Sequence, residues 1–273
     1  MQSLAGITVV NLSLNLPGPA AARRLQRLGA RVVKVEPPAG DPMRHYHAGW
    51  YRELAAGQEV VVIDLKAEAG RASFEELLDQ VDLLLTATRP AALGRLGLGW
   101  SELHGRFPRL CQVAIVGYPA PRQNEAGHDL TYQAALGLLN PPHMPRTLLA
   151  DMAGAEQTVG AALALLLGRE RGGEGGYAEV ALAEAAAAMA EPLHFGTTAP
   201  GALLGGGRPE YNLYPARDGW VAVAALEPHF KKRLEEELGG DQLRHYGEKF
   251  KTRTATEWET WGRQLDIPVV AVK

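Results

Sequence analysis

One histidine and one aspartate stand at the edges of two apolar segments in the middle of the chain. The first segment is Ala126-Gly-His-Asp-Leu-Thr-Tyr132, and the second, after a proline-rich turn, is Leu148-Leu-Ala-Asp-Met-Ala-Gly154. An imidazole with an ordinary pKa near ~6.5 and a carboxyl with one near ~3.9 can exchange protons at neutral pH when their surroundings adjust them. His128 and Asp151 are therefore a candidate acid/base pair. Spacing alone leaves a structural alternative, in which His128 caps a turn and Asp151 caps a helix that begins near Gly154.

The first half of the chain alternates between strand-like and helix-like segments. Apolar runs rich in β-branched residues predict strands at 7–12, 31–36, 60–65, 82–86 and 110–116, and helical spacing of apolar residues predicts helices at 20–28 and 67–80. This alternation predicts an α/β fold with a doubly wound parallel sheet. Ligands of such sheets bind beyond the carboxyl ends of the strands. Arg44, Lys66 and Arg89 follow predicted strands closely, so they are candidate ligand contacts.

The second half predicts a boundary between two domains. Nearly uncharged helices are expected at 153–169 and 184–194, the first of them buried almost all round, with a strand at 177–182 between them. A Gly/Pro/Thr-rich linker follows at 197–208, and then a β-hairpin at 211–225, a helix to residue 238, a further helix and a terminal strand at 267–272. We therefore expect a large α/β domain at 1–200 and a smaller α+β domain at 201–273.

Composition limits the functional classes. A formal net charge of -3 gives no basic footprint, so nucleic acid is not an expected partner. The only cysteine, Cys111, excludes an intrachain disulfide and a cysteine-based metal cluster, and the scattered histidines suggest no metal site. No amino-terminal signal pattern and no apolar run of the ~18 residues that span a bilayer is found. These features predict a protein of the cytoplasm that is not in a membrane.

A nicotinamide cofactor is not expected. Glu36 ends the second predicted strand, where dinucleotide-binding folds place an acidic residue on the ribose. The first loop reads Asn15-Leu-Pro-Gly-Pro19, however, and lacks the G-x-G-x-x-G fingerprint. Glu36 remains open between a strand end in solvent and a ligand contact.

The segment Ala126-Gly-His-Asp-Leu-Thr-Tyr132, together with Leu149-Ala-Asp151, resembles the active-site region of α-methylacyl-CoA racemases, within the family III CoA-transferase group. Histidine at position 128 favours the racemases, since the transferases usually have another residue there. Other matching motifs are Leu4-Ala-Gly-Ile7, Pro17-Gly-Pro19, Gly29-Ala-Arg-Val-Val-Lys-Val-Glu36, Asp41-Pro-Met-Arg44, Ile63-Asp-Leu-Lys66, Arg89-Pro90, Arg95-Leu-Gly-Leu-Gly99 and Ala225-Leu-Glu-Pro228.

The resemblance implies roles for particular residues. His128 and Asp151 would move the α-proton of an acyl-CoA thioester on opposite faces, and Glu227 of the Leu-Glu-Pro motif would partner His128. Without the resemblance, Glu227 is a helix-start carboxylate next to a proline. Arg89 would contact the nucleotide end of CoA, and we count Arg44, Glu36 and Lys66 as further candidate CoA contacts. No cofactor is implied apart from the CoA of the substrate.

The same mechanism needs hydrogen-bond donors for the enolate and a complete pocket. We expect the donors to be backbone N–H groups at the helix start near Gly154. The resemblance implies an interlocked homodimer in which the small domain of one chain completes the site of the other. Alanine-rich stretches within 153–167 and 185–190 also predict apolar surface for such an interface.

Two departures keep other functions open. The family usually has a basic run before the third strand, where this chain has Ala55-Ala-Gly-Gln-Glu59, and family members usually continue beyond the last predicted strand. Binding of CoA phosphate should therefore be weaker than usual. One alternative is a family III CoA transferase with Asp151 as nucleophile. Another is a catalytically weak CoA-binding partner subunit.

Overall fold

The computed structural model describes residues 2–273 and divides into two compact units. The first reaches to Met189 and the second is Ala190–Lys273. The division lies within a helix, Leu182–His194, whereas the expected boundary after residue 200 lies in the loop beyond it. In residues 2–273, none of the helices is both long enough and apolar enough to cross a membrane.

The first unit contains a sheet of six parallel strands. Their order across the sheet is β3-β2-β1-β4-β5-β6, and every neighbouring pair runs parallel. The strands are β1 Thr8–Asn11, β2 Arg31–Glu36, β3 Glu59–Val62, β4 Leu83–Thr86, β5 Cys111–Val116 and β6 Tyr177–Ala181. The chain builds outward from β1 to β3 and then returns to the other side of β1 with β4. This is the doubly wound order, and the predicted fold class is confirmed.

Helices cover both faces of this sheet. They are α1 Pro17–Arg27, α2 Met43–Tyr46, α3 Ala48–Ala55, α4 Glu68–Leu78, α5 Pro90–Arg95, α6 Trp100–Arg106, α7 Asp129–Ala135, α8 Leu149–Gly172 and α9 Leu182–His194. Val9 and Val32 face one way and pack in a core with α1 and α8, while Val10 and Val33 face the other way, with Phe74 of α4. Alternate residues of each strand thus serve opposite layers, because side chains alternate along a strand.

The second unit is the predicted small α+β domain. A three-stranded antiparallel sheet joins β7 Tyr211–Pro215, β8 Trp220–Ala224 and β9 Val269–Ala271, and the helices are α10 Pro228–Leu238, α11 Leu243–Phe250 and α12 Ala255–Gln264. Its core contains Tyr214, Phe250 and Trp258, and the Trp258 indole N–H donates to the Phe250 carbonyl oxygen at 2.7 Å. A buried indole N–H requires such a partner.

Helix α8 differs from the sequence prediction in two respects. It begins at Leu149 rather than near Gly154, so Asp151 lies in its first turn. It is also not buried all round, since Leu163 and Leu167 are exposed. Gly154 serves close packing instead of a helix start, because a Cβ there would collide with the Leu182 side chain of α9. The alanine-rich composition hid which face of the helix is buried.

A buried ionic network fixes the loops that follow β1 and β2. The Lys34 ammonium is 1% exposed and lies 2.6 Å from Asp41 Oδ2 and 3.7 Å from Glu36 Oε1. The other oxygen of Asp41 accepts backbone N–H bonds from Asn15 at 3.0 Å and Met43 at 2.9 Å. One carboxylate therefore joins the loop after β1 to the start of α2, and Lys34 compensates its charge.

We expect replacement of Lys34 by alanine to lower the free energy of unfolding by about 3–5 kcal/mol, because Asp41 would keep a buried charge without its cation. Arg31→Ala is the matched control on the same strand. Arg31 pairs with Glu59 at 2.7 Å, but both side chains are more than half exposed, so its loss should cost less than about 1 kcal/mol. Urea unfolding measures both changes, and equal losses in the two variants would contradict the structural importance of the network.

Candidate active site

A cavity of about 260 Å³ lies beyond the carboxyl ends of β1, β4 and β5. Strands β1 and β4 are neighbours at the point where the chain order reverses, which is where doubly wound sheets bind their ligands. The cavity is lined by Leu14, Asn15, Pro17, Ala87, Arg89, Ile115, Val116, Gly117, Gln123, Glu125, Ala126, Gly127, His128, Tyr132, Asp151 and Leu182. Of the candidate site residues, His128, Asp151 and Arg89 are thus brought together.

Asp129 determines where helix α8 begins. Its carboxylate is buried, and Oδ1 accepts the N–H groups of Ala150 at 2.7 Å and Asp151 at 3.2 Å, while Oδ2 accepts from Gln133 Nε2 at 2.5 Å. It thereby satisfies two otherwise unpaired donors of the first turn of α8. No role for Asp129 was predicted from the sequence. An acidic residue beside a candidate catalytic histidine was a signal, but its helix partner lies 21 residues further along the chain.

Asp151 has a carboxyl group with an unusual proton affinity. Its pKa is raised to about 6, first by burial and then by the negative charge of Asp129, while the charge of His128 acts in the opposite direction. A carboxyl with this pKa exists in both protonation states near neutral pH. It can therefore take or give a proton under the same conditions.

His128 is the residue immediately before helix α7. Its backbone N–H donates to Thr131 Oγ1 at 3.0 Å, and the Thr131 hydroxyl donates to the His128 carbonyl oxygen at 2.7 Å. These two bonds fix the backbone at the helix start. His128 is exposed on the wall of the same cavity that Asp151 lines.

Arg89 lies on the wall of the cavity at the start of another helix. It precedes Pro90, the first residue of α5, and its side chain is exposed. A guanidinium in this position is free to meet an anionic ligand that enters from solvent, and its planar fork suits phosphate or carboxylate.

The other candidate CoA contacts do not line the cavity. Glu36 is fully buried and accepts from the Tyr51 hydroxyl at 2.7 Å and from Arg44 Nη2 at 2.9 Å, so both of its oxygens are engaged within the protein. Arg44 is held by the same network, although about half of its side chain is exposed. Lys66 is exposed beyond β3. Glu36 is thus held by hydrogen bonds within the protein, which the sequence did not predict.

Glu227 belongs to the second unit. It precedes Pro228 at the start of α10, is exposed, and its side chain makes no capping hydrogen bond. Its position at a helix start agrees with the structural interpretation, but its carboxylate does not perform the capping function.

The prediction that backbone N–H groups near Gly154 are free to stabilise an enolate is wrong. The N–H of Gly154 lies in the second turn of α8, within the regular hydrogen-bonding pattern of the helix. At the true start of the helix, Asp129 already accepts the N–H groups of Ala150 and Asp151. The first turn of α8 therefore offers neither of these two N–H groups to a ligand.

Tyr132 also lines the cavity, although the sequence predicted no role for it. It is 2% exposed, and burial raises its pKa to about 12, assisted by the charge of Asp151. Two glycines make room for it: a Cβ at Gly117 would lie 2.5 Å, and one at Gly127 2.6 Å, from its hydroxyl oxygen. The glycine in the His128 motif is therefore required by the phenol.

No group of three or more His, Cys, Asp or Glu side chains that could hold a metal ion is found within residues 2–273. The polar side chains of the cavity include the carboxyl of Asp151, the imidazole of His128, the guanidinium of Arg89 and the phenol of Tyr132. This set can transfer protons, attack a carbonyl carbon or bind an anion.

Comparison with known proteins agrees with these features. The family model described as "CoA-transferase family III" matches residues 4–271. The succinyl-CoA–D-citramalate CoA-transferase of Chloroflexus aurantiacus is 31% identical over 88% of this chain and 66% of its own length. Human α-methylacyl-CoA racemase is 31% identical over 94% of this chain and 74% of its own length. The BbsE subunit of a Thauera aromatica succinyl-CoA:(R)-benzylsuccinate CoA-transferase is 33% identical over 82% of this chain and 60% of its own length.

The solved structure of Rv3272 from Mycobacterium tuberculosis superimposes with a TM-score of 0.85 at 26% identity, covering all of this chain and 86% of that one. The chain spans about two thirds of the length of the first transferase and about three quarters of that of the racemase. The doubly wound sheet, the cavity at its reversal point and the match along the length of the chain lead to the same conclusion. The chain belongs to CoA-transferase family III.

Proposed function

We propose that the protein interconverts the two configurations at the α-carbon of a 2-methylacyl-CoA thioester by proton transfer. The observation that supports this most is that His128 and Asp151 line one cavity, with burial holding the pKa of Asp151 at about 6. The similarity to human α-methylacyl-CoA racemase supports the same reaction. The substrate carries the CoA, and no separate cofactor takes part.

The reaction needs two groups that act on opposite faces of the α-carbon. The first group removes the α-proton and leaves an enolate. The second group, which starts protonated, returns a proton to the opposite face of the α-carbon. The two groups therefore exchange protonation states in each turnover. A carboxyl with a pKa of about 6 is mostly ionised at pH 7, with roughly one in ten protonated. Asp151 can therefore start a turnover in either direction, with His128 acting on the other face.

A CoA transferase is the second candidate. The Asp151 carboxylate would attack the thioester carbonyl carbon and expel the CoA thiolate, leaving a mixed anhydride. The thiolate would then attack the Asp151 carbonyl carbon of the anhydride, which releases the first acid and leaves CoA as a thioester on Asp151. A second carboxylate would follow the same steps in reverse and leave as its CoA thioester, with the Asp151 carboxylate restored. The similarity to the Chloroflexus transferase favours this reaction, which needs Asp151 but has no step for His128. A catalytically weak partner subunit is the third candidate, because one relative is named as a subunit and Ala55–Glu59 lacks basic residues.

The assembly that we propose is an interlocked homodimer in the cytoplasm. Exposed apolar side chains on α8 and α9 support it, namely Leu163, Leu167 and Met189, because apolar surface of this kind marks subunit interfaces. In such a dimer Glu227 of one chain would orient His128 of the other.

We expect His128→Ala and Asp151→Ala each to abolish exchange of the α-proton of a 2-methylacyl-CoA in D₂O, because each variant removes the group on one face. The unmodified protein should exchange this proton without any added carboxylate acceptor. Proton NMR of the thioester measures the exchange, and circular dichroism confirms that the variants remain folded.

The same variants separate racemase from transferase. Acyl transfer to an added carboxylate is measured in parallel by chromatography of the CoA esters. If His128→Ala keeps full transfer activity while Asp151→Ala loses it, the transferase function replaces the racemase. If the unmodified protein binds the thioester but neither exchanges nor transfers, the partner-subunit function replaces both.

Arg89 should contribute to CoA binding through its guanidinium. We expect Arg89→Ala to weaken CoA by about 1.5–3 kcal/mol, the range for a hydrogen bond to a charged group. Arg95→Ala is the control, since Arg95 lies exposed in the last turn of the same helix and does not line the cavity. Calorimetry measures both, and an unchanged CoA affinity for Arg89→Ala would reject this assignment.

A further inference from the structure

Both candidate reactions develop negative charge on the thioester carbonyl oxygen. Proton removal gives an enolate, and carboxylate attack gives a tetrahedral oxyanion. Catalysis requires a donor aimed at this oxygen, and such donors are worth the most when they are held in place before the reaction. Asp129 occupies the N–H groups of Ala150 and Asp151, so the first turn of α8 offers neither of them to the substrate.

Within residues 2–273, the Tyr132 hydroxyl makes no hydrogen bond to another protein group. The contacts of the phenol are an edge-to-face arrangement with Tyr118, ring centroids 5.2 Å apart, and electrostatic interactions with charged neighbours. Nearly all of the side chain is buried, but its hydroxyl oxygen is not one of the fully enclosed polar atoms that lack a partner. A phenol hydroxyl that reaches a cavity can donate a hydrogen bond to a ligand there.

Tyr132 and Asp151 line the same cavity. The phenol oxygen of Tyr132 lies close to the backbone at Gly117 and Gly127, and both glycines line the cavity together with Tyr132. The charge of Asp151 is close enough to affect the phenol. A ligand atom that accepts from this hydroxyl would therefore lie in the same cavity as the Asp151 carboxyl.

We propose that the Tyr132 hydroxyl donates a hydrogen bond to the thioester carbonyl oxygen of the substrate and stabilises the negative charge that develops there. The inference rests on the proposed acyl-CoA function and makes Tyr132 a catalytic residue that touches the reacting group. It applies to the racemase and to the transferase, because both reactions pass through an oxyanion at this atom.

The surroundings of the phenol suit this task. Burial and neighbouring negative charge raise its pKa to about 12, so the hydroxyl keeps its proton throughout the neutral range and remains a donor. The tight enclosure between two glycine backbones holds it in one orientation. A donor that does not reorganise during the reaction is the more effective one.

Infrared spectroscopy of a bound thioester tests the hydrogen bond directly. The probe is a 2-methylacyl-CoA with ¹³C at the thioester carbonyl, whose stretching frequency falls when the oxygen accepts a hydrogen bond. We expect the band of the bound probe to move to higher frequency in Tyr132→Phe, which keeps the ring and its packing. Tyr118→Phe is the matched control, because it removes the hydroxyl of the neighbouring ring, which does not line the cavity. Its band should equal that of the unmodified protein.

The rates provide a second readout. Tyr132→Phe should slow α-proton exchange, and any acyl transfer, by roughly 10²–10³-fold, the usual effect of removing one such donor. The dissociation constant of the thioester should change less than tenfold. Tyr118→Phe should retain the unmodified rates.

The outcomes distinguish this inference from the proposed function. An unchanged carbonyl band in Tyr132→Phe overturns the inference, as does an unchanged rate in a protein that is otherwise active, and either result leaves the proposed function standing. If the unmodified protein binds the probe without exchange or transfer, the proposed function fails and the band shift still decides the role of Tyr132. If the probe does not bind at all, both fail.

Discussion

The capping of helix α8 by the Asp129 carboxylate is the interaction on which the cavity depends. Asp129 accepts the N–H groups of Ala150 and Asp151 and a side-chain bond from Gln133, so it joins the start of α8 to α7. This connection places Asp151 in the first turn of α8 and His128 immediately before α7, so that both residues line one cavity. It also puts a buried negative charge beside Asp151, and that charge favours the protonated form of its carboxyl.

A second carboxylate has a similar function on the other side of the β1 loop. Asp41 holds the backbone of Asn15, which lines the cavity, and that of Met43, while Lys34 compensates its charge in the core. The two acidic residues use the same principle, in which a buried carboxylate accepts backbone N–H groups and so fixes a loop. Glu36 extends this network through Tyr51 and Arg44. Fixed walls are a requirement for an active site that must align donors before the reaction.

The sequence predicts the architecture well because apolar periodicity is a local signal. The alternating strands and helices of the first unit and the hairpin Tyr211–Pro215 with Trp220–Ala224 were both predicted from it. Roles that depend on distant partners were missed. Nothing near Asp129 shows that it caps a helix 21 residues later, and nothing near Gly154 shows that it contacts Leu182. For Glu36 the sequence offered a strand end in solvent or a ligand contact, because its partner Tyr51 lies on a helix 15 residues away in the sequence. Local patterns identified which residues carry chemistry, but not which backbone groups were already bonded.

The most direct test is the pKa of the Asp151 carboxyl, measured by NMR titration of protein labelled with ¹³C at the aspartate side chains. Asp151→Asn identifies the resonance, and Asp129→Asn removes the neighbouring charge while Gln133 can turn its amide to preserve their bond. The pKa of Asp151 should be about 6 in the unmodified protein and lower in Asp129→Asn, because one of the causes that raise it is gone. An Asp151 resonance that titrates near the ordinary aspartate value of ~4 in the unmodified protein would contradict the proposed arrangement of the site.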